Sequence, residues 1–383
     1  MKFIAFRWLV AIMILSGTPA WAMERARTVT AGDFFPELSF AMAPAKSDVE
    51  YLGLPQKFFG LIRDATFSLK DVKAELILLE FMNKYCFSCQ LQAPVMNQAF
   101  SMVEKDPQLK GRIKFMGIGV GNNQGEVDSF KAEKQIPFPL IPDPKFRVYE
   151  AIGEPGVAPL CLHLRKADAG LLVAYMKAGL TRDPEMILKE LINSLTADVD
   201  ALLKKFKDPS FQHFRVAELY LDLNEEQLLK KAGECMSSPR WKVLQVVKVA
   251  WPDKRGMYVG QVQDGKKNFF LFTRLVSRAP ICDICHAVHF LYTFDEKGMI
   301  LNFLPLEVTK QGNLPWNAQE VEQMKRRLVG RSILHPMDFD PQVDSISSAT
   351  MTSALIVDAI SKAKRHYDGL KSMGYIREPF TEP

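Results

Sequence analysis

The feature that most constrains this chain is the stretch Leu76-Ile-Leu-Leu-Glu-Phe-Met-Asn-Lys-Tyr-Cys86-Phe-Ser-Cys89-Gln-Leu-Gln-Ala-Pro94. A short apolar run rich in Leu and Ile reads as a buried strand. It runs into two cysteines spaced C-x-x-C, and Gln90 to Glu104 follows with the pattern of a helix. Cys86 therefore falls at a strand-to-helix junction, near the positive end of a helix dipole. There a thiolate is favoured and a thiol becomes a usable nucleophile. Two cysteines at this spacing also bind zinc or form inert bridges. Three further details accompany the pair: Glu80 six residues before Cys86 on the predicted strand, Tyr85 directly before it, and Pro94 five residues after Cys89.

The 383 residues leave room for two or three domains and a sizeable core. The N-terminus reads as an export signal over residues 1–22: Lys2 and Arg7 give a basic start, Trp8 to Leu15 an apolar core, and Ala20-Trp21-Ala22 a cleavage site. That apolar core is far shorter than the roughly 20 residues a span needs, and no later segment is apolar enough to cross a bilayer. An uncleaved anchor is the alternative. The expected location is a bacterial periplasm, where thiols are oxidised unless a partner reduces them. Net charge is +5, and +3 once Lys2 and Arg7 leave with the signal. That is too little to argue for nucleic acid or a membrane surface as partner.

Along residues 31–196 the pattern alternates. After the helix from Gln90 come a strand at Arg112 to Val120, a helix at Asn123 to Lys134 and a short extended segment from Pro137. A helical turn follows at Phe146 to Ile152. A strand then enters through Pro159, Leu171 to Met176 pairs with it as a hairpin, and Pro184 to Leu195 closes with an amphipathic helix.

The C-x-x-C stretch resembles the active site of the thioredoxin superfamily, where a buried acid, the dithiol and a kinking proline hold these relative places. The element order matches that fold with the insertion of the peroxiredoxin and TlpA-like branch. The resemblance implies an α/β domain with a central mixed sheet flanked by helices. It also implies that Pro159 is cis, opening the strand that faces the dithiol, with its preceding backbone contacting bound substrate. A cis bond needs a structural reason, and an ordinary trans proline at a strand edge is the alternative. Glu80 would be a proton acceptor when Cys89 ionises, its pKa raised by burial; otherwise it is a strand-end glutamate paired with a lysine. Peroxiredoxins carry Thr or Ser three residues before the attacking cysteine. Here that position is Asn83, which disfavours a peroxidase. Cys161 reads as a small buried residue.

Residues 197–238 read as a charged helical connector, with Cys235 buried. From residue 239 to 370 an antiparallel α+β domain is expected. Its strands are Val243 to Ala250, Met257 to Val262, Asn268 to Val276, His289 to Phe294 and Ile300 to Leu306. Hairpin turns are expected at Asp264-Gly265 and Lys297-Gly298, and helices at Ala318 to Val329 and Thr350 to His366. The motif Asp344-Ser-Ile-Ser347-Ser348-Ala349-Thr350 resembles the flavinylation motif of the FMN-binding domain of sodium-pumping quinone reductase and Rnf-type complexes. Asp344, Ser347, Ala349 and Thr350 match that pattern, and Ser348 stands where the family has glycine. The resemblance implies FMN attached to Thr350 through a phosphoester, with the phosphate met by helix N–H groups. Alternatively, Ser347 and Ser348 merely cap the helix.

A second pair, Cys282-Asp-Ile-Cys285-His286, with His289 beyond, carries the attachment signature of c-type haem. Haem c, a zinc site using Cys282, Cys285, His286 or His289, and a dithiol/disulfide all remain open. A distal haem ligand cannot be chosen among His163, His213, His289, His335 and His366. The chain is therefore expected to be an exported thiol–disulfide oxidoreductase using Cys86, Cys89, Glu80 and Pro159, coupled to a flavin-bearing domain. Its partners would be protein disulfides, or a membrane electron-transfer complex. The alternatives are a flavin or haem carrier with a docking module, and a reductant for cytochrome c maturation.

Overall fold

A computed structural model describes residues 27–41, 46–54, 66–216, 219–252 and 256–376. The expected signal segment, 1–22, lies outside them. The short strands β1 (Ser39–Ala41) and β2 (Thr66–Ser68) pair antiparallel, with helix α1 (Lys46–Leu52) between them in sequence. Then follow β3 (Leu76–Met82), α2 (Phe87–Lys105), β4 (Ile113–Val120), α3 (Gln124–Glu133), β5 (Leu140–Asp143), α4 (Arg147–Ala151), β6 (Leu160–Ala167), β7 (Gly170–Ala178) and α5 (Pro184–Thr196).

Five of these strands form one sheet in the order β5-β4-β3-β6-β7. β3 runs parallel to β4 and antiparallel to β6, so the sheet is mixed. This is the thioredoxin-like fold. Every residue of β3 is buried, as its unbroken Leu-Ile-Leu-Leu run requires of a strand covered on both faces. Helix α5 starts at Pro184, where a missing N–H costs nothing, with the Asp183 carboxylate accepting from Glu185 N–H. It packs against α2 and on β3, β6 and β7.

The connector is not one helical stretch. Between helices α6 (Val199–Lys207) and α7 (Glu225–Met236) the described residues, 208–216 and 219–224, are not helical. A capping box of Asn224 and Gln227 opens α7. This helix belongs to the second sheet: Ala232, Cys235 and Met236 pack with Tyr258, Val262, Leu271, Leu275 and Leu291 in a core of their own.

That sheet is an antiparallel meander of β8 (Lys242–Val249), β9 (Met257–Asp264), β10 (Lys267–Arg278), β11 (Val288–Asp295) and β12 (Ile300–Glu307). Gly265 (φ 57°) and Gly298 (φ 77°) supply the left-handed residues of its hairpin turns. The small hairpin β13 (Thr309–Lys310) and β14 (Leu314–Pro315) follows. Helix α8 (Ala318–Leu328) packs on β12, and α9 (Thr350–Ser361) packs on β11 and β13. The single helix expected from Thr350 to His366 is broken near Lys362–Ala363, and α10 (Lys364–Ser372) begins there. Lys362 at the break reaches Glu150, Asp358 and the Lys145 carbonyl, a tertiary tie no local pattern encodes.

One continuous apolar core runs through both halves. At their meeting line Arg278, at the end of β10, is 5% exposed and pairs with Glu154 and Asp358, with Glu150 3.7 Å away. Among the described residues no helix is long and apolar enough to cross a membrane.

Candidate active site

Helix α2 starts three residues before the expected Gln90, because Cys86 itself is the N-cap. Its sulfur accepts the Cys89 N–H at 3.2 Å, a position in which a helix terminus offers a donor to an anion. The Cys86 thiol in turn donates to Ala158 O at 3.4 Å. The Ala158–Pro159 peptide bond is cis, and β6 leaves it directly to run beside β3. Cys86 and Cys89 are free thiols, 0% and 1% exposed.

Beneath them, Glu80 on β3 lies opposite Cys161 on β6. The alternative of a surface pairing with lysine is not met. Glu80 is buried, and its carboxylate accepts from the Gln92 amide at 2.9 Å. The same amide lies 3.4 Å from Cys161 Sγ, and Gln92 Oε1 accepts Thr181 N–H at 2.8 Å. Gln92 therefore ties the acid, the facing strand and the segment after β7 together. Sequence reasoning passed over it, although a polar residue one helical turn beyond Cys89 on a buried face was a usable signal.

Burial raises the Glu80 pKa to about 7, against the lowering effect of the Gln92 hydrogen bond. Burial likewise pushes the Cys89 thiol up, helped by Cys86 and by the Glu80 charge. Cys161 is pushed up by the same burial and the same carboxylate. The site thus holds a buried thiol with a raised pKa near a buried carboxylate whose own pKa is raised to about 7, a pairing in which the carboxylate can accept the thiol proton.

A stability consequence follows. A carboxyl whose folded pKa exceeds its ordinary 4.5 stabilises the fold fully below that value, and the contribution is lost as pH rises to about 7. Glu80→Gln is therefore expected to flatten the fall in unfolding free energy over that window, by about 3 kcal/mol at its upper end. Urea titrations at pH 5 and pH 8 check this; equal pH dependence in both proteins contradicts the assignment.

Asn83 is committed to the backbone, donating to Val120 O at 2.7 Å and accepting Tyr85 N–H at 2.8 Å. His163 is a core histidine bonded to Ser194 Oγ, and burial lowers its pKa to about 3.

In the second half, Cys282 and Cys285 form a disulfide, which is the third of the three alternatives for this pair. In that state neither sulfur can join a haem vinyl group or a metal. His289 is buried with Nδ1 on Ser277 Oγ, and His286 is exposed. Among the described residues no three His, Cys, Asp or Glu side chains gather as a metal-holding group.

The Asp344–Thr350 motif forms a turn leading into α9. Asp344 is buried and accepts Asp340 N–H at 2.9 Å. The alternative that Ser347 and Ser348 merely cap α9 is not met, since the N-cap is Ala349 and no side chain caps it. Ser348 takes φ 59°, the left-handed conformation that favours glycine. The serine therefore occupies the backbone shape expected of the motif's glycine. Thr350 is half-buried as the first residue of α9, with Ser347 and Ser348 exposed beside it.

Residues 56–159 match the AhpC/TSA family. Among solved structures, the chain is similar to a thioredoxin-family thiol:disulfide interchange protein from Chlorobium tepidum TLS, at 18% identity over 45% of this chain and 99% of that one, TM-score 0.30. It is similar to a secreted disulfide oxidoreductase of Mycobacterium tuberculosis, at 17% identity over 34% and 90%, TM-score 0.28. It is also similar to StoA from Bacillus subtilis, at 18% identity over 33% and 90%, TM-score 0.26. No curated protein matches the chain.

Proposed function

We propose that this chain is an exported thiol–disulfide oxidoreductase in which Cys86 attacks a disulfide and Cys89 resolves the product. What supports this is one arrangement: Cys86 at the N-cap of α2, facing Ala158 O, above the buried Glu80–Gln92 pair. The attacking sulfur forms a mixed disulfide and releases one partner thiolate. Cys89 then gives its proton to Glu80 and attacks Cys86, forming Cys86–Cys89 and releasing the second thiolate. Equilibration of the full chain with glutathione at set ratios, followed by alkylation and mass analysis, tests this. Cys86 and Cys89 should oxidise together in one two-electron step. Independent oxidation of the two removes the proposal.

A peroxidase reading competes, and consumption of hydrogen peroxide by the reduced chain distinguishes it. The commitment of Asn83 to Val120 and Tyr85 favours the exchanger. Export rests on Lys2, Arg7 and Ala20-Trp21-Ala22, and an N-terminus at residue 23 in the secreted protein would support it.

The second domain is proposed to carry FMN at Thr350. The uncapped α9 N-terminus suits a phosphate, and the left-handed Ser348 fits the motif's glycine position. When bound, FMN would supply an electron store in the same chain as the dithiol. Thr350→Ala is expected to remove one FMN mass from the intact protein and its absorption near the visible region, while thermal unfolding changes little. An unaltered mass in wild type and variant alike contradicts attachment.

A further inference from the structure

We propose that the Cys282–Cys285 disulfide is a built-in partner of Cys86–Cys89, so that two electrons pass between the pairs within one chain. This rests on the reading of Cys86 as a nucleophile. The disulfide lies in residues 279–287, the loop joining β10 to β11. Its Asp283 N–H donates to Ala158 O at 3.1 Å, and the Cys86 thiol donates to that same oxygen at 3.4 Å. One carbonyl therefore holds both the attacking sulfur and the residue next to Cys282. The Cys86 sulfur and the Asp283 nitrogen are at most the two distances laid end to end, about 6.5 Å apart.

Further contacts seat this loop. Tyr149 donates its hydroxyl to Pro280 O at 3.2 Å while accepting Gly156 N–H at 2.9 Å. Gly156 (φ 75°) lies so close to the loop that a Cβ there would stand 3.3 Å from Ala279 Cβ. On the other side of Pro159, Gly179 donates its N–H to Pro159 O at 2.9 Å, and a Cβ on it would meet Asp283 Oδ2 at 3.5 Å. Arg278, immediately before the loop, is bonded to Glu154 and Asp358. Asn313 Nδ2 fixes Ile284 O at 2.8 Å.

Burial points the same way. With the loop in place Cys86 is 0% and Cys282 2% exposed, whereas Cys285 is half-buried and Ile284 56% exposed. The disulfide seated beside Cys86 therefore competes with any disulfide arriving from solution. Cys282, the neighbour of Asp283 and the more buried of the two cysteines, is the one attacked. Cys285, nearer solvent, is the better-hydrated leaving group.

Cys86, its proton lost to water, forms a bond to Cys282 Sγ; the Cys282–Cys285 bond breaks and Cys285 leaves as a thiolate that takes a proton from water. Cys89 passes its proton to Glu80 and bonds to Cys86 Sγ; the Cys86–Cys282 bond breaks and Cys282 takes a proton. Cys86 and Cys89 are oxidised by two electrons, and Cys282 and Cys285 are reduced by two. The half-buried Cys285 then presents the electrons outward.

The test uses the full chain as Cys89→Ser/Cys285→Ser, held in glutathione redox buffer, alkylated and peptide-mapped. A Cys86–Cys282 link in monomeric protein is expected. In Cys89→Ser/Cys282→Ser, a Cys86–Cys285 link should be at least about tenfold scarcer, given the placement of Cys282. Cys86 found only as its glutathione adduct, with Cys282 free, overturns the relay and leaves the exchanger standing. Cys86 reacting with neither overturns both. Should the variants fail to fold, wild-type protein given limiting dithiothreitol decides. Label at Cys282 and Cys285 must equilibrate with that at Cys86 and Cys89 at a rate independent of protein concentration. A rate proportional to concentration, or no equilibration, overturns the relay.

Discussion

Replacing Cys86 by serine is expected to lower the rate of disulfide exchange at least about 10³-fold. A serine hydroxyl is not ionised near neutrality and forms no disulfide. Cys89 cannot take over, because burial, the largest cause, and the Glu80 charge still raise its thiol pKa once Cys86 is gone. Cys89→Ser should behave differently: it keeps the first attack and accumulates the mixed disulfide it cannot resolve. Fluorogenic glutathione disulfide, followed with each variant, reads both effects. A Cys86→Ser protein within tenfold of wild type would remove Cys86 from the mechanism.

Arg278→Ala should be the most damaging substitution away from the dithiol. Burial alone would favour loss of the guanidinium proton, but the charges of Glu154, Asp358 and Glu150 more than offset it and hold the pKa above the ordinary arginine value. The guanidinium also lies over the Phe146 ring, 5.3 Å from its centroid. Removing it takes the guanidinium away from two buried carboxylates, which costs about 3–5 kcal/mol. Glu154 belongs to the first half, and Arg278 and Asp358 to the second, so the loss falls on the seam between them. A lower urea midpoint is expected, together with faster alkylation of Cys86 as the 279–287 loop loosens. Arg278→Met, which keeps the volume, should do nearly the same. An unchanged midpoint in both would show that the cluster contributes nothing net.

What the sequence made legible was local. The Leu76–Met82 run, the strand-to-helix junction at Cys86 and the Gly265 and Gly298 turns depend on neighbours within a few residues, and each is where the pattern placed it, although α2 starts at Phe87 rather than Gln90. Residues 208–216 and 219–224 read as helix in sequence and are not helical, because charged residues at helical spacing say little about helicity. Pro209, just past the end of α6, and the Asn224–Gln227 box were the better signals. Gln92 escaped notice because its partners, Glu80, Cys161 and Thr181, meet only when α2 packs against the sheet. The seating of Asp283 on Ala158 joins segments far apart in the chain. No spacing rule reaches it.

The placement of α7 bears on where the second domain can be cut and still be transplanted. Tyr258, Val262, Leu271, Leu275 and Leu291 are buried under Ala232, Cys235 and Met236, so the meander carries its own lid upstream of its first strand. Excised at residue 239, it would travel with that apolar face bare to water and prone to self-association. Excised ahead of the Asn224 cap, it would keep both its cover and the helix start that sets the cover in place. The portable module is longer at its N-terminus than the strands alone suggest.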